Sequence, residues 1–99
     1  MIMFNQDSPP EFEFDEAKSR MNNRKHGIDF VEAQAIWLDP CSLEAPARER
    51  DEERWLVIGM IGGRHWTAII TYRDARVRII SVRRARRSEV SLYDRATVG

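Results

Sequence analysis

Four arginines fall within five positions, Arg83, Arg84, Arg86 and Arg87, and Arg78 lies five residues before them. Guanidinium groups held this close repel one another, and Glu89 is the only acid near them, so the cluster calls for an anion. Arginine's planar fork matches two oxygens of a phosphate, which makes Arg78, Arg83, Arg84, Arg86 and Arg87 candidate RNA or phosphate contacts. Docking onto acidic residues of the same chain or of a partner is the other reading. Elsewhere, Lys25-His26 and Glu53-Arg54 each set a cation beside a group that can move a proton. Cutting RNA without a metal requires a base for the 2′-hydroxyl, an acid for the leaving oxygen and cations around the charged phosphorane. Lys25, His26, Glu53, Arg54 and Arg83 are residues of those kinds. Against this, His26 suits a cap on the carbonyl end of a helix, and Glu53 with Arg54 suits a surface ion pair. Tyr93, one helical turn after Glu89, would set its phenol beside the arginines, whereas Trp55, Trp66 and Tyr72 suit core positions in alternating strands.

The chain around these residues is short. Its 99 residues, 42% apolar and 32% charged, suffice for one core and exclude two. The sixteen basic and sixteen acidic side chains sum to zero, which taken alone argues against a polyanion binder. The sum hides a gradient: residues 1–60 carry 7 basic and 13 acidic side chains, and residues 61–99 carry 9 basic and 3 acidic ones. Fourteen of the sixteen cations are arginine, the better phosphate fork. No apolar run approaches the ~20 residues that cross a bilayer, and the N-terminus has no secretion signal, so a cytoplasmic protein is expected. Cys41, His26 and His65 are too few and too scattered for a zinc site; no metal or other cofactor is expected, and Cys41 reads as an ordinary thiol.

Residues 1–10, ending in Ser8-Pro9-Pro10, read as a flexible lead, and residues 11–95 as a single domain. Phe12 and Phe14 alternate with acids as in a short strand. Asp15 suits an N-cap and Gly27 a left-handed stop, which predicts a helix over 16–26. Asp29 and Glu32 have capping-box spacing ahead of a second helix ending near Leu38, and Pro40 to Glu53 reads as a charged loop. Residues 55–82 then switch to strand alternation around turns at Gly62-Gly63 and Asp74-Ala75, and a last helix is expected over 86–95. The order β-α-α-β-β-β-α is an α+β fold. Its sheet is antiparallel, of three strands or slightly more, with helices on one face burying Phe30, Ile36, Trp37, Val57, Ile69 and Ile79.

The segment FEFDEAKSRMNNRKHGIDFVEA at 12–33, then Glu53-Arg54, Gly59, RIISVRRA at 78–85, Glu89 and Tyr93 resembles the BrnT family of type II toxins over about residues 11–94. The resemblance implies a RelE-like fold and an endoribonuclease that restrains translation. It also implies hetero-oligomers with a BrnA-type antitoxin that binds operator DNA. The family's charged residues carry over onto Lys25, His26, Glu53, Arg54, Arg83, Glu89 and Tyr93. The Pro-containing lead and the added Arg84, Arg86 and Arg87 depart from the family's usual form. A pure interaction module, whose basic half binds RNA or an acidic partner without cutting, is the competing class.

Overall fold

The computed structural model describes residues 10–47 and 53–98, so the expected lead, apart from Pro10, and part of the charged loop lie outside the described residues. The chain runs β1 (Phe12–Glu13), α1 (Glu16–His26), a 3-10 helix (Glu32–Leu38), β2 (Leu43–Pro46), β3 (Trp55–Ile61), β4 (Arg64–Arg73), β5 (Arg76–Arg84) and α2 (Arg87–Val98). The strands form one sheet in the order β1-β5-β4-β3-β2.

The local signals in the sequence act as chemistry predicts. Asp15 accepts a hydrogen bond from the Lys18 amide, which also draws its carboxyl below the usual range, and Gly27 closes α1 at φ 78°. Asp29 and Glu32 exchange backbone-to-carboxylate bonds of 2.7 and 3.0 Å, a full capping box. It opens a 3-10 helix, Glu32–Leu38, and not the expected α-helix, and the helix stops before Pro40.

The sheet departs from the expected all-antiparallel meander at both edges. β1 pairs in parallel with β5, through Phe12 with Val77 and Glu13 with Arg78. At the other edge Leu43–Pro46, expected as loop, pairs antiparallel with Trp55–Ile58. Four residues ending in proline make an edge strand whose partner, and not its own composition, orders it.

One sheet face carries Val57, Trp66, Ala68, Ile70, Val77, Ile79 and Val82 into a core with Ile28, Phe30, Ala33, Ile36 and Trp37. Phe12 meets Trp37 and Phe14 meets Phe30 edge to face, at 4.9 and 5.7 Å between ring centres. The 3-10 helix lies so close to β3 that a Cβ on Gly59 would come within 2.9 Å of Ile36 Cγ2. Ile69 is not in this core. It lies on the opposite face and is half-buried.

α1 is tied along β5 by one buried side chain. Asn22 donates from Nδ2 to the carbonyls of Ile28 (2.8 Å) and Val82 (2.9 Å) and accepts from the Val82 amide at 3.1 Å. Replacing Asn22 with Ala leaves buried strand groups unpaired, and is expected to cost about 2–4 kcal/mol in urea unfolding; a loss below about 1 kcal/mol would show that α1 is held by other contacts.

Candidate nucleic-acid interface

Arg83 lies five positions after Arg78, and in a regular strand they would point to opposite faces. A bulge in β5 changes this. Ile69 pairs with Ser81 but Ile70 pairs with Ile79, so Ile80 is an extra residue. Beyond the bulge Val82 returns to the core, while Arg83, opposite Thr67, joins Arg78, opposite Thr71, on the second face.

α2 covers part of that face. Tyr93 is buried there, donates to Asp39 Oδ2 at 2.8 Å and meets the His65 ring edge to face at 4.9 Å. Asp39 also accepts from the Met60 and Cys41 amides. Burial opposes ionisation of Asp39, and these donors overcome it and lower its pKa; burial and the same contact raise that of Tyr93. Beside the covered part lie two cavities lined by described residues. One of 600 Å³ is lined by Leu56, Ile69, Arg83, Arg86 and Leu92 among others, and one of 310 Å³ by Lys18, Arg54, Thr71, Arg73, Arg78 and Ile80.

Arg83 is fixed by Glu89. Nη1 donates to Oε1 at 2.7 Å and Nη2 to Oε2 at 2.9 Å, with a further contact from Nη1 to the Arg84 carbonyl at 3.3 Å. Glu89, only 5% exposed, also accepts from the Arg86 amide at 2.7 Å and Thr67 Oγ1 at 3.0 Å. Burial alone would raise the Glu89 pKa; the bonds from Arg83, Arg86 and Thr67 outweigh it and bring it to about 2. The same pair raises the pKa of Arg83.

This end-on grip leaves a whole edge of the guanidinium over. Of five N–H donors, Nη1 uses both and Nη2 one. The remaining Nη2–H lies beside Nε–H, and that pair is the side-on fork that fits two oxygens of one phosphate. Neither has an acceptor among the described residues.

The other sequence candidates separate into groups. Glu53 and Arg54 lead into β3, where Thr71 donates to the Glu53 carbonyl at 2.9 Å, at the Arg78 end of the sheet. Arg78 is paired with Glu13 at 3.0 Å. α1 runs alongside β5 with Asn22 against Val82, so Lys25 and His26, one turn further, lie toward the Arg83–Arg84 end. Lys25 and His26 therefore lie toward one end of the sheet and Glu53 toward the other. Arg84 points to the first face, 5.5 Å from the Trp66 ring centre, and Arg87 is exposed at the start of α2. Tyr93 turns from the arginines to Asp39, because it packs under α2 and not on its groove side. Lys18, Thr67 and Thr71 were not candidates in the sequence; the strand register alone marks the threonines, as cross-strand partners of Arg83 and Arg78.

A model of the ribonuclease toxin BrnT of type II toxin-antitoxin systems matches residues 14–89. The chain belongs to the BrnT family. It is thus a ribonuclease toxin of a type II system, and an antitoxin partner goes with that class. No curated relative matches the chain. This BrnT chain has no described helix long and apolar enough to cross a membrane.

The Glu89 pKa makes a prediction about acid. A carboxyl held at about 2 in the fold and near 4.5 when unfolded stabilises the protein fully above 4.5, and that share is lost as pH falls toward 2. The difference corresponds to about 3 kcal/mol, so Glu89→Gln should flatten the decline of urea stability between pH 4.5 and 2.5. An unchanged pH slope in the variant would contradict the assignment.

Proposed function

We propose that this protein is a metal-independent endoribonuclease that inhibits translation by cutting RNA in the cytoplasm, and that a BrnA-type antitoxin silences it. The observation that carries the reading is Arg83 itself, which lines an open groove and keeps its Nε and one Nη2 donor unused while Glu89 holds it rigid. A phosphate seated there would have its two non-bridging oxygens forked before reaction and its growing charge stabilised in the phosphorane. Rigidity matters because the fork then needs little reorganisation as charge develops.

For a phosphate on Arg83, His26 is the better placed base and Lys25 the accompanying cation, since α1 carries both toward that end of β5. His26 takes the 2′-hydroxyl proton, the 2′-oxygen attacks phosphorus, and the 5′-oxygen leaves with a proton, giving a 2′,3′-cyclic phosphate and a 5′-hydroxyl. Glu53, at the other end, serves the bound strand at a distance from this step. The antitoxin is expected to cover the groove and its arginines.

Removing Arg83 outright would strand the buried Glu89 charge, so the informative change keeps the charge and removes the fork. In EDTA the wild-type protein should cut single-stranded RNA, and Arg83→Lys should lower kcat/KM by about 100-fold while remaining folded by circular dichroism. His26→Ala should lower kcat at little changed KM, and both variants should relieve growth arrest on expression. RNA left intact by wild-type protein that binds it tightly would instead favour the non-cutting module.

A further inference from the structure

The cavity at the other end of the open face has its own charge pattern. Lys18, Arg54, Arg73 and Arg78 line it, and none of the described lining residues is a carboxylate. Arg78 uses one donor, Nη1, on Glu13 and keeps the others. Thr71 joins them from β4. N–H donors gathered around an open cavity suit the oxygens of a phosphate, and arginine presents them in a fork. These side chains come from α1, β4, β5 and the residue just before β3, so the gathering is made by the fold and not by one basic stretch of sequence.

The bulge relates this cavity to the one at Arg83. Because Ile80 is the extra residue, Arg78 and Arg83 stand on the same face, roughly 15 Å apart along β5. That span exceeds what one phosphate can bridge and suits a few nucleotides of one chain. Between the two lie Leu56, Ile69 and Ile80, half-buried and apolar. Such a floor offers nothing to phosphates but suits the flat faces of bases, which only an unpaired strand exposes.

We propose that the cavity of Lys18, Arg54, Arg73 and Arg78 is a second phosphate subsite, which holds the backbone of a single RNA strand a few nucleotides from the phosphate seated on Arg83. The proposal rests on the Arg83 reading above and extends it to substrate form: unpaired RNA engaged at two points. A strand too short to reach both subsites is held at one, and a duplex cannot lay its bases on the apolar floor.

Binding of the full chain to fluorescently labelled 2′-O-methyl RNA, which cannot be cut, tests this by anisotropy. The probes are a dinucleotide, a strand of about eight nucleotides and a duplex of the same length. Wild-type protein should favour the long strand over both others. Lys18→Ala and Arg78→Gln should each weaken the long strand by about 3- to 10-fold, reduce its salt slope by about one and lower the ratio of long to short affinity. Arg20→Ala, which removes an exposed charge from α1, is the control for generic charge loss. Lys18 and Arg78 variants that bind the long strand like Arg20→Ala, or a duplex bound as tightly as the strand, overturn the proposal. If Arg83→Lys is impaired while those two are not, the second subsite alone is lost. If Arg83→Lys binds and cuts normally, the Arg83 reading itself fails.

Discussion

Four hydrogen bonds converge on the buried carboxylate of Glu89, from both terminal nitrogens of Arg83, from Thr67 and from the Arg86 amide. They join β4, β5 and the start of α2 at one point. A carboxylate stripped of water is stable only when its oxygens are met this fully, so the arrangement tolerates little change in any partner. Its consequence for function lies in the geometry: an arginine gripped end-on is neutralised in net charge but not in donors, and it presents a fixed fork where a flexible side chain would present a moving one.

The two faces of the sheet divide the work. The first face is filled by apolar side chains of residues 28–37, including the 3-10 helix, and by aromatic edge contacts. Among the described residues α2 covers part of the second face, anchored by Tyr93 on Asp39 and by the Glu89 hub. The bulge at Ile80 lets one strand serve both, since Ile79 and Val82 reach the core and Arg78 and Arg83 reach the groove. Asn22 secures the edge of β5 at Val82, close to where the chain turns its arginines outward.

Much of this was legible in the residues. Caps at Asp15, Gly27 and the Asp29-Glu32 pair mark local structure through local bonds, and the glycine turn and strand alternation mark β3 to β5. What escaped depended on contacts distant in sequence. Leu43–Pro46 is a strand only because β3 offers an edge, and β1 joins in parallel only because α1 returns beside β5. The Arg cluster was visible as a cluster, yet its division was not, because alternation without the bulge sends Arg78 and Arg83 to opposite faces. Tyr93 shared a helical face with Glu89 in projection but found Asp39, fifty-four residues away, as its partner. The charge gradient along the chain likewise resolves in space, where Glu11 meets Arg76 and Glu13 meets Arg78 at the β1 edge of the sheet.

The central claim is that Arg83 binds phosphate through its Nε–Nη2 edge while Glu89 keeps the other. The arginine Nε–H signal of Arg83 in proton–nitrogen correlation spectra, assigned by its loss in Arg83→Lys, reports that edge directly. Adding uncleavable single-stranded RNA should move and sharpen this signal, with the Glu89 side-chain carbonyl shift unchanged. An Nε–H unaffected by saturating RNA, or a Glu89 signal that moves as the pair is broken, would contradict the account.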